Sequence, residues 1–325
     1  MRSVFRNAVA WAAVAALALS ALSVSAQDYP SKPLRLIVPF APGGGVDIYS
    51  RLLAAAMSAQ LGQQVLVENQ PGAGGISALE RVAKSPKDGY TLIAVSSTNI
   101  STSPHLFRNL PYKMDEFAPV AAIVRFPFYM YIHPAVPAKN WAEFYAYAKA
   151  NPGKLNYATT GRGSTPHLCG ELIEAAAGID MLDVPYKGSG PALADLLGGQ
   201  VHAYFDVASP GLSYALNGKL RALLVMDNKR DPRAPEVPAV TELGYKDALA
   251  FNRYSLLVAT GTPRAIIDRL NRAAIASMES GPLRERQNAD FGYPGPVTPD
   301  ELALMLKQDF ELWGTTIRRL GLHLD

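Results

Sequence analysis

Three segments of this chain place glycines and hydroxyls where a strand-like run hands over to a helix-like one. They are Pro39-Phe-Ala-Pro-Gly-Gly-Gly-Val-Asp47, Glu68-Asn-Gln-Pro-Gly-Ala-Gly-Gly-Ile76 and Ala158-Thr-Thr-Gly-Arg-Gly-Ser-Thr-Pro-His-Leu168. Glycine lets the backbone come close to a ligand, and the first N–H groups of a helix are free to donate. The third segment adds hydroxyls at Thr159, Thr160, Ser164 and Thr165, and Pro166 suits a first helical turn, so Ser164 or Thr165 is the natural cap. Such loops are anion cradles made of neutral donors, suited to a carboxylate or a phosphate. The glycine triplet lacks Gly-x-Gly-x-x-Gly spacing, and no Gly-Lys-Ser/Thr closes it. Taken alone the triplet reads equally as a tight turn. Three such loops together point to one shared anion site, at the carboxyl ends of the strands of an open α/β sheet.

Catalytic patterns find no support. The five histidines are scattered, and there is no Gly-x-Ser-x-Gly, Ser-x-x-Lys or His-Glu-x-x-His. The single cysteine, Cys169, lies in the helical apolar run Leu168-Cys-Gly-Glu-Leu172 and reads as a buried, inert thiol. His167 and Cys169, two apart on a helix, point to different sides and form no dyad. One cysteine also excludes an intrachain disulfide and a multi-cysteine metal site. No cofactor and no metal are expected.

The elements that must carry the loops alternate along the chain. Strand-like runs at 34–40, 65–67, 91–95, 121–124, 128–132, 155–158, 201–205 and 220–225 are interleaved with helical ones at 46–61, 76–83, 166–177 and 191–197. Asn140 with Glu143, and Thr298 with Glu301, are capping-box patterns opening two more helices, and Pro263 begins another. This is an α/β chain with parallel or mixed sheets and helices on both faces. Its 325 residues include 26 glycines and 25 prolines, which cut it into many short elements; the length suits two domains. A net charge of +3 and the absence of any basic run argue against a nucleic-acid partner.

Arg2 and Arg6, an uncharged alanine/leucine-rich stretch at 8–22 and the small residues Val24-Ser-Ala26 read as a signal peptide over residues 1–26, cleaved after Ala26. Its loss lowers the net charge to +1. The mature chain is then expected to be exported and soluble.

Tyr29-Pro-Ser-Lys-Pro-Leu-Arg-Leu-Ile-Val-Pro-Phe-Ala-Pro-Gly-Gly-Gly-Val-Asp47 resembles the mature N-terminus of the Bug family, the extracytoplasmic receptors of tripartite tricarboxylate transporters. The resemblance continues through Val67–Gly75, Asp88–Leu92, Gly163–Leu168, Val184–Gly188, Gly198–Val201 with Phe205-Asp206, Gly218–Ala222 and Pro238–Glu242. It implies a type II periplasmic-binding-protein fold: two α/β lobes with a hinge and a ligand cleft between them. By that analogy lobe one is 27–127 plus 250–325, and lobe two is 128–249. The implied ligand is a small carboxylate, such as an amino acid, an aromatic acid or a tricarboxylic acid. The implied partners are the permease subunits of the transporter, and the receptor is expected to be a periplasmic monomer. Sensing for a receptor kinase, or a secreted enzyme on the same scaffold, are the alternatives.

Carried over position by position, Ala41, Gly43 and Gly44 would supply lobe-one donors, helped by Ser96 and Asn99. Thr160, Gly163, Ser164 and Thr165 would grip from lobe two, with His167 beside them; Tyr186 and Asp206 approach the cleft. Arg162 departs from the family's usual small residue: it either clamps a second carboxylate or is a solvated loop charge. Asp206 is either an ammonium partner or a helix cap. Gln70 stands where the family often has arginine, which removes a charge role there. Asp47 and Arg51, four apart, read as a surface pair, and Phe128, Tyr129 and Tyr131 as strand and core residues.

Overall fold

The computed structural model describes residues 29–279 and 281–324, so the expected signal peptide lies outside the described residues. The strands are β1 (Leu34–Val38), β2 (Val65–Asn69), β3 (Thr91–Ser96), β4 (Phe117–Ile132) and β5 (Leu155–Thr159). They continue as β6 (Met181–Pro185), β7 (Ala203–Val207), β8 (Arg221–Val225), β9 (Phe251–Ala259) and β10 (Tyr293–Gly295). The helices are α1 (Gly45–Leu61), α2 (Ile76–Ala83), α3 (Ser103–Leu106), α4 (Trp141–Ala150) and α5 (Thr165–Ala177). After them come α6 (Ser189–Leu197), α7 (Ala208–Leu216), α8 (Arg264–Met278), α9 (Gly281–Ala289) and α10 (Pro299–Arg319).

The strands run in the order β2-β1-β3-β9-β4-β7-β5-β6, with β8 and β10 also on β4. Parallel pairs β1/β2, β1/β3, β5/β6 and β5/β7 lie toward the two edges, and antiparallel pairs surround β4 and β9. β1 reads Leu-Arg-Leu-Ile-Val with little exposed, the near-continuous apolar run of a strand covered on both faces.

β4 is the spine. It pairs with β9 from Phe117 to Pro127, then with β7 and β8 from Phe128 to Ile132. The sequence reads as two strands here because prolines interrupt the pattern; the structure runs one. Pro127 has no N–H to give a ladder and falls where β4 leaves one set of partners for the other. The return crossing lies beside it, with Phe128 N–H donating to the Ala250 carbonyl at 3.0 Å. Two α/β bodies therefore share β4, and the chain returns from the second to the first beside it at Ala250. The first has α1 and α8 on one face and α2 on the other. The second has α4 and α5 on one face, α6 and α7 on the other.

α10 belongs to both. Leu302 and Leu306 pack with Ile37, Val95 and Leu257 of the first body, whereas Trp313 and Ile317 join Phe144, Leu168 and Phe205 of the second. The carried-over boundary puts all of 250–325 with lobe one. A helix of 21 residues is about 30 Å long, enough to reach across, so its last turns sit on the other core. Its start is fixed as the sequence indicates: Thr298 Oγ1 accepts from Glu301 N–H at 3.2 Å, and Glu301 Oε2 accepts from Thr298 N–H at 2.8 Å. Thr298→Ala is expected to destabilise the protein by about 1 kcal/mol, read as a fall of the urea midpoint at unchanged slope.

Candidate ligand site between the two bodies

Every parallel strand of both bodies ends in a loop that opens a helix or helical turn. None of α1, α2, α5, α6 and α7 has a side-chain cap at its N-terminus. By contrast α4, capped by Asn140, and α10, capped by Thr298, have their first N–H groups answered. The helices at these strand ends have no such side-chain answer, the condition in which a helix start can accept an anion.

In the first body one buried carboxylate fixes the loops. Asp47 is 2% exposed, not the surface charge its helical spacing with Arg51 suggests. Its carboxylate accepts from Gly43 N–H at 2.9 Å, Arg51 Nε at 3.0 Å and Asn69 Nδ2 at 2.7 Å, while Asn69 Nδ2 also donates to the Phe40 carbonyl. Burial alone would raise Asp47, but hydrogen bonds from Arg51, Gly43 and Asn69 hold it below the ordinary carboxylate value. The Gly43 N–H is thus engaged inside the loop. Ala41 and Gly44 are exposed at its tip, with Gly44 at the N-cap of α1.

Ser96 and Asn99 brace the neighbouring loop. Asn99 Oδ1 accepts from Ser96 N–H at 3.1 Å and Ser96 Oγ at 3.2 Å, and its Nδ2 donates to the Gly74 carbonyl at 2.9 Å. Gly75, at φ +90°, fills the remaining gap: a Cβ there would stand 2.7 Å from Pro39 Cβ. These contacts join the first and second glycine loops into one wall.

In the second body Gly161 and Gly163 adopt positive φ, and Ser164 N–H donates to the Gly161 carbonyl at 3.1 Å. Gly163 N–H donates to His167 Nδ1 at 3.4 Å. Burial pushes His167 below its ordinary value, so the ring is neutral at pH 7 and its proton sits on Nε2, facing Glu171 at 3.7 Å. Thr165 begins α5, and Thr160 lies half-buried between β5 and the loop. Ser164 at the N-cap makes no capping bond, and its hydroxyl is closed to solvent without a hydrogen-bond partner among the described residues. An unanswered buried hydroxyl costs about 1–3 kcal/mol, a debt that an arriving acceptor removes. Arg162 is exposed. Tyr186 gives its hydroxyl to Asp195 Oδ2 at 2.8 Å. Cys169 is buried and its thiol is pushed well above the ordinary value by burial.

Asp206, next to last in β7, lies opposite Tyr129. It does not cap α7; its Oδ1 accepts from the adjacent Val207 N–H at 2.8 Å. Burial raises its carboxyl to about 7, with the Val207 N–H and the Tyr204 hydroxyl pulling weakly the other way.

One residue escaped the sequence reading. Tyr254 of β9 aims its hydroxyl at the start of α1, where a Cβ on Gly45 would stand 2.5 Å from it. Its ring stacks edge-on with Tyr49 and Phe126. Burial, then the charges of Asp290 and Asp206, push this phenol up to about 12, so it stays a donor at neutral pH. Tyr254 therefore sets the close approach of β9 to the start of α1. Nothing in the local spacing marks it, because 251–259 does not read as a strand. Tyr254→Phe is expected to weaken ligand binding about fivefold, the worth of one hydrogen bond, with little change in melting temperature; calorimetric titration of both proteins checks it.

Among the described residues no group of three or more histidine, cysteine or carboxylate side chains is placed to hold a metal, and no helix is long and apolar enough to cross a membrane.

Residues 49–322 match the family model described as the tripartite tricarboxylate transporter family receptor. Protein BugT of Bordetella pertussis is 35% identical over 306 residues, covering 94% of each chain. Among solved structures, the R. palustris protein Rpa4515 with adipate superposes with a TM-score of 0.76 at 30% identity, over 91% of this chain and all of that one. MatC from Rhodopseudomonas palustris with bound malate gives 0.72 at 31% identity, over 89% of this chain and all of that one. The two-lobed arrangement is that of periplasmic binding proteins.

Proposed function

The chain belongs to the tripartite tricarboxylate transporter receptor family, and we propose that it is exported, captures a small carboxylate between its lobes and delivers it to the membrane subunits of such a transporter. It acts as a receptor, not an enzyme. The observation that carries this reading is the unanswered hydroxyl of Ser164 at the uncapped start of α5, and in this reading the uncapped start of α1 meets the same ligand from the first lobe. Each offers neutral donors to one anion, which needs no lysine or arginine.

In this reading Gly44 and the first turn of α1, with Tyr254, hold the carboxylate from one lobe; Ser164, Thr165 and Thr160 hold it from the other. Ala41 lines the rim. Gly43, Ser96, Asn99, Gly163 and His167 shape the loops, since their own hydrogen bonds are engaged there. Tyr186 contributes its ring, because its hydroxyl is held by Asp195. The moving bodies are 27–127 plus 250–325 and 128–249, with the end of α10 riding on the second. Hinge motion about the paired crossings at Pro127/Phe128 and Ala250/Phe251 closes them.

A thermal-shift panel of malate, adipate, citrate, glutamate and nicotinate tests the proposal. A ligand at 100 times its Kd adds about 2.7 kcal/mol of stability, so a true ligand raises the melting temperature visibly. No shift with any carboxylate would set the reading aside.

A further inference from the structure

Behind the crossing strands lies a cavity of about 670 Å³ that the cleft does not use. Successive side chains of a strand point to opposite faces. Tyr254 turns toward Gly45, so Arg253 turns the other way, toward α10, beside its cross-strand neighbour Arg125. Both arginines line this cavity, joined by Lys229 and Lys246 from the second body; the carboxylates on its walls are Asp247 and Asp309. With Asp227, which pairs with Arg125 beside the cavity, four cations face three anions.

Arg253 is the anomaly. It is only 6% exposed, yet its side chain makes a single hydrogen bond, from Nε to Asp309 Oδ2 at a long 3.3 Å. Its terminal nitrogens have no hydrogen-bond partner among the described residues; they border the cavity, and the guanidinium lies 5.9 Å from the centre of the Phe251 ring. Arg125 is already matched, donating to Asp227 at 2.7 Å while lying over the rings of Phe251 and Tyr293. Lys229 and Lys246 are exposed and carry no ion pair among the described residues. Leu249, Met305 and Leu312 add apolar wall to the cavity, beside the Phe251 ring over which Arg125 lies. A bare inorganic ion would leave that wall without a partner.

We propose that this cavity is a second ligand site, for a small organic acid whose carboxylate meets Arg253 and the two lysines while its hydrocarbon body rests on Met305 and Leu312. The site does not depend on the carboxylate reading of the cleft. Its walls come from both bodies, so an occupant favours one lobe separation and is coupled reciprocally to whatever the cleft binds.

The test uses the full chain and 4-fluorobenzoate, followed by broadening of its fluorine NMR signal. Three variants are compared with wild type: Ser164→Trp, which obstructs the cleft; Arg253→Met; and Lys229→Glu with Lys246→Glu, surface changes that leave the fold intact even if Arg253→Met does not fold. Binding is expected to stay within about twofold in Ser164→Trp and to weaken at least about tenfold in the lysine double variant and in folded Arg253→Met. Inorganic sulfate at equal concentration is expected not to displace the probe. Failure of wild type to broaden the signal, loss of binding in Ser164→Trp, unchanged binding in the lysine variant, or displacement by sulfate would each overturn the proposal.

Discussion

Replacing Ser164 with tryptophan is expected to weaken carboxylate binding by more than about 100-fold, through loss of one charge-assisted hydrogen bond and obstruction of neighbouring donors. The circular dichroism spectrum is expected to stay that of wild type. Ser164 occupies the N-cap of α5 without capping it, so the helix loses no hydrogen bond when the hydroxyl goes. The loop conformation rests instead on the Ser164 N–H bond to Gly161 and the Gly163 N–H bond to His167, neither of which uses the side chain. Ser164→Ala separates the two contributions. It removes only the hydroxyl, and the expected loss is about tenfold, the worth of one hydrogen bond to a charged group. Equal affinity in wild type and both variants would mean that the carboxylate is held elsewhere.

Asp206→Asn is expected to raise stability above pH 7. The folded-state carboxyl lies at about 7 instead of the ordinary 3.8. A raised acid contributes stability that is fully present below pH 4 and is lost as pH climbs through 7, where the buried group must ionise. The shift corresponds to at most about 4 kcal/mol at pH 8, and an asparagine of the same shape recovers part of it. Melting temperatures from pH 4 to 9 are therefore expected to fall more steeply for wild type than for the variant, with the widest gap on the alkaline side. A variant that melts below wild type at pH 8 would contradict the assignment. Affinity separates two ligand classes in the same experiment. If the proposed site lies beside Asp206, a simple carboxylate is expected to bind the variant as well or better at pH 8, since a nearby negative charge is gone, and an amino acid less well, since its ammonium would lose a partner.

How much of this was legible in the chain depends on the range of the interaction concerned. The glycine loops, the Asn140 and Thr298 caps and most helices follow from local spacing, and the structure has them within a residue or two. The continuity of β4 was not legible. Proline breaks the local pattern at 119 and 127, and only pairing with β9, more than a hundred residues away, holds the strand together. The burial of Asp47 was hidden for a related reason: four-residue spacing identifies Arg51 as a neighbour but gives no sign that Asn69 and Gly43 close over the carboxylate. Tyr254 reaches the start of α1 through a strand that the pattern does not announce. In the carried-over site, the roles of backbone N–H groups in Gly43 and Gly163 are invisible from residue type, since whether a donor is free depends on which acceptor folds onto it.

A crystal structure of the chain with a ligand from the carboxylate panel tests the central claim most directly. A carboxylate is expected to bridge the lobes, with its oxygens within hydrogen-bond reach of the first N–H groups of α1 and of Ser164 Oγ. A ligand held wholly by one lobe, or one whose carboxylate faces away from both helix starts, would contradict it.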